Sequence, residues 1–492
     1  MSCDKERLDP SVTTKAVTSV KWSALMEMVS RIAQPIIFVI LARLLTPEDF
    51  GVVATAMIAI SFSQMFWDAG LSKALIQTEE APETAANVVF WTNIGLAIVI
   101  YVLLFFSAPL IARFFKSPAS CAVLRVLGIQ IVIASLSSVQ QSLFMREMDF
   151  KNLFWIRLLT AFFPGFFSIP LAFYGYGVWA LVGGTLAGQL LNLFLLWRKS
   201  TWRPSFSYDV TLARKLTRFG FWVLLESFGA WLIIWGDNLI VGRYLGVHDL
   251  GVYRTGWMLV TLIFGLVLNP LLPVLYPMFS RLQNNNEELK NAFHKANRIV
   301  FSLALPMGLG LLVLGPDLAN LFFGEKWQGL GFVLSVLGLM HGMAWLVGIN
   351  AELYRGMGRP DLNTKLMWLA ILYYLPSYYL AVQHGLKVFT LTRLAVAVVA
   401  IPMHIYLCVK VLKVNVNYLW DLGKPMILSS LLMTVVIYLI KNMVMHHSNS
   451  FYSVVSVVFL IFTGVTVYIL SLLFLDREFI KMTRNIVRKA IA

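Results

Sequence analysis

The sequence predicts an all-α integral membrane protein of about fourteen transmembrane helices, arranged as two pseudo-repeated six-helix lobes followed by two C-terminal helices. Three observations predict it. The 492 residues are 59% hydrophobic and only 13% charged, where a soluble domain is roughly one quarter charged; mean hydropathy is +0.75. Apolar runs close to the roughly 20 residues that cross about 30 Å of hydrocarbon recur along the chain, without the alternation of barrel strands. The stretch from Leu41 to Ala56 also returns 200 residues later.

Taken in order, the chain opens on a polar tail, 1–21, that lacks the apolar core and small-residue cleavage site of a secretory signal, so the first helix is expected to stay in place. Apolar spans follow at 22–45, 52–71, 88–112, 124–144, 154–174 and 178–197, making a first lobe of 22–197. Residues 198–218 hold Pro204, several Ser and Thr and six basic residues, and read as a cytoplasmic linker. The second lobe, 219–413, has spans at 219–241, 252–279, 299–321, 330–353, 366–382 and 388–409, with 283–298 as a short amphipathic helix before the third. Spans 426–440 and 452–475 form the extra pair within 414–475. In the tail, 476–492, Arg477, Lys481, Arg484 and Arg488 share one helical face, the pattern of a helix lying on a membrane or of a solvated one.

Charge orients this topology. Alternating fourteen spans put 29 of the 40 Lys and Arg residues on the side holding both termini and 8 opposite, with Arg31, Arg125 and Arg393 inside helices. Cytoplasmic loops carry the basic excess, so both termini are expected in the cytoplasm of a plasma-membrane protein. The net charge of +15 then reflects this bias and attraction to anionic membrane lipids, and nucleic acid is not an expected partner. Cys3, Cys121 and Cys408 show no paired or metal-ligand spacing.

The duplication is specific. Laid on 241–256 without gaps, 41–56 is identical at Arg43/Arg243, Leu45/Leu245, Asp49/Asp249, Gly51/Gly251, Val52/Val252 and Thr55/Thr255. Trp22 falls on Trp222 at the same offset, and Val123 to Ile129 echoes Val333 to Leu339 at nearly the same one. Two halves of like hydropathy are a transporter architecture with the substrate path between them; helix boundaries in lipid also converge on Arg, Gly and Asp.

Several motifs carry a family likeness. Leu-Ala-Arg-Leu-Leu-Thr-Pro-Glu-Asp-Phe-Gly (41–51), Asp-Ala-Gly-Leu-Ser-Lys-Ala-Leu-Ile-Gln (68–77), Gly-Tyr-Gly-Val-Trp-Ala-Leu-Val (175–182) and Asp-Asn-Leu-Ile-Val-Gly-Arg-Tyr-Leu-Gly (237–246) are four of them. Leu-Tyr-Pro-Met-Phe-Ser-Arg-Leu-Gln (275–283), Phe-Gly-Glu-Lys-Trp (323–327) and Gly-Met-Gly-Arg-Pro-Asp-Leu (356–362) complete the set. The chain resembles the polysaccharide transporter family of the multidrug/oligosaccharidyl-lipid/polysaccharide superfamily, most of all the Wzx-type O-antigen and colanic-acid flippases. The resemblance covers most of the first twelve helices. It implies a MATE-like fold and a substrate of undecaprenyl-pyrophosphate-linked oligosaccharide, moved from the inner to the outer leaflet through a cavity between lobes.

Such a substrate needs a polar, partly cationic cavity beside an apolar flank, so buried mid-helix polar residues are the candidates. Ser23, Glu27, Ser30, Arg31 and Gln34 fall at spacings of three and four, one polar stripe ending near Pro35. Arg31 is either a phosphate contact or the i+4 partner of Glu27. Arg43 and Arg243, duplicated at outer helix ends, are release-side phosphate contacts or snorkelling anchors. With Gln34 and the intrahelical Arg125 and Arg393 they make the candidate substrate-binding set. Glu226 and Asp237, eleven residues apart on one helix face, are the candidate ion-coupling pair. His341/Glu352 and Arg393/His404 repeat the interval, as transport groups or structural hydrogen bonds. Asp68 reads as a cap or anchor.

No phosphate loop, nucleophile elbow or His-Glu-x-x-His site occurs, so neither an enzyme nor a cofactor is expected, and an ion gradient, the membrane potential or substrate pull would drive transport. The expected function is alternating-access flipping of polyprenyl-pyrophosphate-linked oligosaccharide for cell-surface polysaccharide synthesis (lipopolysaccharide or exopolysaccharide). Membrane lipids, H+ or Na+, and polysaccharide polymerase or export proteins are the expected partners. A multidrug or small-solute cation antiporter on the same fold is the rival. An oligosaccharide polymerase or ligase would be expected to carry a large outer loop, which the sequence does not.

Overall fold

The computed structural model describes residues 34–68, 71–77, 82–414, 416–444 and 450–477, and every regular element among them is helical. The first helices are α1 (Gln34–Leu44), α2 (Pro47–Asp68), α3 (Leu71–Gln77), α4 (Pro82–Phe114), α5 (Ala119–Arg146), α6 (Phe150–Phe173), α7 (Val178–Lys199) and α8 (Val210–Tyr244). There follow α9 (Val247–Leu268), α10 (Leu272–Leu282), α11 (Asn286–Phe323), α12 (Leu330–Ala344), α13 (Asn350–Gly356), α14 (Pro360–Val382), α15 (Gly385–Leu412), α16 (Val416–Val444) and α17 (Ser450–Leu475). Ten of the described helices are long and apolar enough to cross a membrane. With α1, α8, α12 and α14 they are compatible with fourteen spans. Large apolar side chains stay exposed along them, among them Leu103, Phe106 and Leu110 on α4 and Phe462 and Phe474 on α17. In a protein this apolar, such surfaces face lipid rather than water.

Several expected boundaries move, each for a local reason. The span 252–279 is two helices, because the chain turns at 269–271, where Pro270 offers no N–H to the ladder. The span 330–353 breaks at 345–349 into successive i→i+3 turns. Gly348 permits this, since a Cβ there would lie 2.5 Å from the Trp345 ring. The short helix expected at 283–298 is instead the start of α11, a 38-residue helix capped by Asn285, whose side chain accepts from the Glu288 N–H. The 198–218 stretch is extended only over 200–209, and α8 begins at Val210.

Contacts divide the chain into two compact units, Met1–Gly251 and Val252–Ala492. α8 belongs to the first: Trp231 Nε1 donates to Ser61 Oγ at 3.0 Å, and its ring meets Phe62 edge-on at 5.1 Å. The stretch leading into α8 is clamped to α4. Ser205 N–H donates to Asn87 Oδ1 (2.9 Å), Asn87 Nδ2 to Ser205 Oγ (2.7 Å) and Trp91 Nε1 to the Ser205 carbonyl (2.8 Å), while Phe206 stacks on Trp91 at 5.0 Å.

The duplicated turns meet inside this first unit. A Cβ on Gly51 would fall 1.7 Å from the Val247 carbonyl oxygen, and one on Gly251 would fall 1.9 Å from the Pro47 carbonyl oxygen. Residues 47 and 247, like 51 and 251, are 200 apart in the sequence repeat, so the two close approaches are reciprocal. α2 and α9 are both 22 residues and start 200 residues apart. Thr46 and Asp49 cap α2 reciprocally: Asp49 Oδ2 accepts from the Thr46 N–H and hydroxyl at 3.0 Å each, and the Asp49 N–H donates to Thr46 Oγ1 at 3.3 Å. Glu48 and His248, again 200 apart, are bonded at 2.6 Å.

In the second unit α16 and α17 pack on α11 through a core that includes Phe301, Leu305, Met433 and Leu460. Tyr468 donates to the Ser302 carbonyl (2.7 Å), Lys441 lies 2.5 Å from Asp317, and Arg298 pairs with Asp476.

A polar cavity in the amino-terminal unit

Three helices of the first unit turn polar faces toward one another. On α5, an apolar span gives way to Ser135, Ser137, Ser138, Gln140, Gln141 and Ser142; on α7, Thr185, Gln189 and Asn192 sit at i, i+4 and i+7; on α6, Arg157 and Thr160 sit at i and i+3. On α6 and α7 these spacings put each set on one face of its helix, and on α5 Ser137, Ser138, Gln141 and Ser142 share one. α6 and α7 can approach closely beside them because α7 carries Gly184 and Gly188: a Cβ at Gly184 would lie 1.7 Å from Ser168 Oγ, and one at Gly188 2.7 Å from Pro164 Cγ.

The result is a cavity of about 810 Å³, lined among others by Gln64, Trp67, Ser138, Gln141, Gln189 and Asn192. A smaller one of about 340 Å³ adjoins it, sharing Gln141, Thr160 and Asn192 and adding Gln34 and Arg157. Ligand sites commonly enclose about 300–1,000 Å³. A layer of buried amides holds the lining in place. Gln130 Oε1 accepts from Gln189 Nε2 at 3.0 Å, and Asn93 Nδ2 donates to Ser138 Oγ at 3.1 Å. Among the described lining residues Arg157 is the sole charged side chain.

The residues singled out from the sequence are dispersed. Gln34 lines the smaller cavity; Arg31, with the rest of its stripe, lies outside the described residues. Arg43 is exposed at the end of α1. Arg125 donates from Nε to the Phe105 carbonyl (3.2 Å) with its guanidinium 4.5 Å from the Phe105 ring centre. Arg243 donates to the Phe114 carbonyl (2.7 Å) and lies 5.0 Å over that ring. Arg243 thereby secures the last turn of α4, where unpaired carbonyls favour a cation, and Arg125 takes a carbonyl left free mid-helix because Pro109, four residues on, has no N–H. Arg393, in the second unit and 7% exposed, stacks 4.0 Å over Trp257 and 5.6 Å from Tyr253.

Asp237 is buried on α8 and accepts from the Asn238 N–H and Nδ2 at 2.7 Å each. Glu226 is on the same helix, its side chain outside what is described, as is that of Asp68. His341 and Glu352 do not share a helix face, because the 345–349 break separates α12 from α13; His341 packs on Trp257 and Phe264, and Glu352 pairs with Arg355 at 3.0 Å. Arg393 and His404 are both on α15, and the His404 carbonyl accepts from Asn350 Nδ2 at 3.4 Å. Among the described residues no group of three or more His, Cys, Asp and Glu is placed to hold a metal ion.

Sequence reasoning missed Arg157 and the amides at 64, 141, 189 and 192. The signal was present as the 135–142 polar run and the i, i+4, i+7 stripe of α7.

Comparison with known proteins sets this geometry in a family. The chain is 26% identical to the succinoglycan biosynthesis transport protein ExoT of Rhizobium meliloti, over 98% of this chain and 97% of that one. It is 25% identical to the teichuronic acid biosynthesis protein TuaB of Bacillus subtilis over 86% and 88%. To the lipopolysaccharide biosynthesis protein WzxC of Escherichia coli it is 25% identical over 75% of each. Among solved structures, the lipid II flippase MurJ in an inward closed conformation aligns with a TM-score of 0.75 at 15% identity, covering 94% of this chain and 100% of that one. An inward-facing multidrug resistance MATE transporter aligns with a TM-score of 0.59 at 16% identity, over 79% and 95%. The fold is therefore the MurJ/MATE fold of a multi-pass membrane protein. A model of the polysaccharide biosynthesis protein family matches residues 40–330, well over half of the sequence, and the chain belongs to that family.

Proposed function

We propose that this protein is a flippase that carries polyprenyl-pyrophosphate-linked oligosaccharide from the inner to the outer leaflet of the plasma membrane by alternating access, with both termini cytoplasmic. Relatives named for succinoglycan transport and for teichuronic acid and lipopolysaccharide biosynthesis, two of them aligned over most of their length, support the reading. The observation that carries it is a large cavity of amides and hydroxyls, with one guanidinium at its margin, built from helices whose outer faces are apolar. Sugars match the amides and hydroxyls, a diphosphate matches Arg157, and charge-assisted bonds to it strengthen where water is scarce. A cation antiporter would be better served by a carboxylate, and none is among the described lining residues.

In this reading the chain is a transporter and not an enzyme. Arg31, Arg43, Arg125, Arg243 and Arg393 remain proposed phosphate contacts at other stages of the cycle, and Glu226 with Asp237 the proposed H+ or Na+ coupling site. Asp237→Asn tests the coupling: transport that kept its dependence on pH and sodium would leave Asp237 a structural role. The lobes, 22–197 and 219–413, are proposed to be the moving bodies, with polymerase or export proteins receiving the product.

Deletion of the gene should make a polyprenyl-linked oligosaccharide build up on the inner leaflet, and purified protein in proteoliposomes should translocate that lipid. Normal surface polysaccharide in the deletion strain, with no accumulated intermediate, would reject the proposal. Orientation is tested separately: a cysteine at Ser205 should be closed to an impermeant reagent in intact cells and open in inverted vesicles.

A further inference from the structure

We infer that the cavity of the first unit is a glycan pocket that selects uncharged sugars, with Arg157 reserved for the diphosphate; the inference rests on the flippase reading and concerns which glycans are accepted. The hydroxyl protons of the wall are already engaged by the helices that carry them. Ser137 donates to the Ala134 carbonyl (3.0 Å), Ser138 to Ser135 (2.9 Å), Ser142 to Ser138 (2.9 Å), Thr160 to Ile156 (2.9 Å) and Thr185 to Leu181 (2.8 Å). All five line the larger cavity. A hydroxyl has one proton and two lone pairs, so each of these oxygens is committed as a donor to its own helix and meets a ligand as an acceptor.

Gln189 gives one of its two N–H groups to Gln130 and keeps the other, with its carbonyl, for the cavity. The wall thus offers many acceptors, and its donors are the amides of Gln64, Gln141, Gln189 and Asn192 and the indole N–H of Trp67, all of them neutral. Sugar hydroxyls donate and accept, and such a wall satisfies them. A uronic-acid carboxylate carries a full charge and only accepts; it would displace sugar hydroxyls that use both the donors and the acceptors of the wall, with no cation along the described lining of the larger cavity to offset its burial. An ammonium sugar would be buried without a carboxylate partner.

Trp67 adds the apolar part of the site. Its ring lines the cavity, and its buried indole N–H has no hydrogen-bond partner among the described residues, the kind of unsatisfied group that marks a place where a ligand or water completes the bonding. Arg157 stands apart from this wall. It lines the smaller cavity with Gln34, joined to the larger through Gln141, Thr160 and Asn192. One end of the combined space is therefore cationic and the remainder neutral, the order of charge along a diphosphate followed by a neutral glycan.

The test uses the full chain in proteoliposomes with two probes: undecaprenyl-pyrophosphate-linked glucose tetrasaccharide, and the same lipid with its terminal glucose oxidised to glucuronate. The wild type should flip the neutral probe at least about tenfold faster, the scale on which unmatched polar groups discriminate. Asn192→Lys, which supplies a cation to the wall, should narrow that ratio by raising the acidic probe's rate, a gain that a purely structural role could not produce. Gln189→Leu should slow the neutral probe selectively. Arg157→Gln should slow both probes alike, with Arg157→Lys partly active. Each variant is first checked for normal membrane yield and detergent melting temperature. Equal rates for the two probes in the wild type would overturn the inference and leave the flippase reading intact. If the wild type moves neither probe, that reading fails, and calorimetric binding of the free tetrasaccharides then decides the pocket. A neutral preference abolished by Gln189→Leu keeps it, and absence of preference removes it.

Discussion

In the amino-terminal unit Gln141, Gln189, Asn192 and Arg157 stand around open space, whereas in the carboxyl-terminal unit several charged and hydroxyl groups bind helices to one another. There Arg393 lies over the Trp257 face, Lys441 meets Asp317, Arg298 meets Asp476 and the Tyr468 hydroxyl closes on a helix carbonyl. The 200-residue sequence repeat is met again in the Gly51/Gly251 close approach and in the equal lengths of α2 and α9. The second sequence echo keeps a close approach in each unit: Gly128 sits against Tyr101 and Leu104 of α4, and Gly338 against Leu311 of α11. What diverged was polarity, for Arg125 on the first copy corresponds to Ser335 on the second. The echoed glycines mark positions at which helices touch, and side chains away from such positions line a cavity in one unit and bolt helices together in the other.

The amino-terminal unit is most vulnerable where the cavity's helices touch. Gly184→Leu must place a branched side chain where even a Cβ meets Ser168 Oγ at 1.7 Å and the Pro164 carbonyl at 2.8 Å. α6 and α7 would separate, at upwards of about 3 kcal/mol, and folded protein recovered from membranes should fall to traces. Gly95 on α4 has nothing within 4 Å of an added Cβ, so Gly95→Ala should match or exceed wild-type recovery, by roughly 0.5–1 kcal/mol of helix preference. Equal recovery of the two variants would show that α6 and α7 are not tightly apposed.

In the second unit, loss of the bolt between α16 and α11 should have the next largest effect. Lys441 and Asp317 are 21% and 12% exposed, and Lys441 also donates to the Val313 carbonyl at 3.1 Å. Lys441→Met leaves a carboxylate without its cation, and the detergent melting temperature should drop by an amount corresponding to about 3 kcal/mol. Lys441→Met with Asp317→Leu should recover most of it, since neither charge is then stranded. A double variant as unstable as the single one would mean that the pair contributes through something other than charge.

How much of this was legible in the sequence follows from what hydropathy registers. Long apolar runs and the repeated Arg-x-Leu and Asp-x-Gly turns marked the helices and the duplication, because lipid dictates the first and a helix crossing the second. Breaks at 269–271 and 345–349 were hidden, since apolar turns inside a span leave hydropathy unchanged. For the site, charge drew attention to Arg125, Arg243 and Arg393, yet their partners are carbonyls and rings of distant helices that no spacing reveals. The cavity wall is uncharged, so Gln189 and Asn192 passed as ordinary interior residues. Gln34 was visible because it ended a stripe of period three to four.

Arg393 gives a smaller and more discriminating effect. Arg393→Leu removes a cation that lies over Trp257 and near Tyr253 and should lower stability by about 1–2 kcal/mol, with Arg393→Lys intermediate, because an ammonium keeps the attraction to the ring and loses the planar stack. If the residue also binds substrate phosphate, flipping will fall further than stability does; parallel losses in both confine it to packing. Melting temperature and flipping rate on the same preparations separate the two.

The smallest expected effect is at the strap that leads into α8. Asp209 accepts from the Thr211 hydroxyl, from the Thr211 N–H at 2.8 Å and from the Leu212 N–H at 3.1 Å, and so caps the helix. These bonds, the Thr211 hydroxyl first, hold its carboxyl below the ordinary aspartate range. A carboxyl depressed in the folded state contributes its stabilisation above the unfolded value and loses it as the pH falls through the folded one. Amide exchange at Thr211 and Leu212, corrected for intrinsic rates, should therefore be slow at neutral pH and quicken only well into acid. Asp209→Ala should show the fast limit at every pH. Asp209→Asn should stay slow and lose the acid response, because an amide still caps and does not titrate. An acid response retained in Asp209→Asn would assign the titration to another group and leave Asp209 as a cap whose ionisation does not matter.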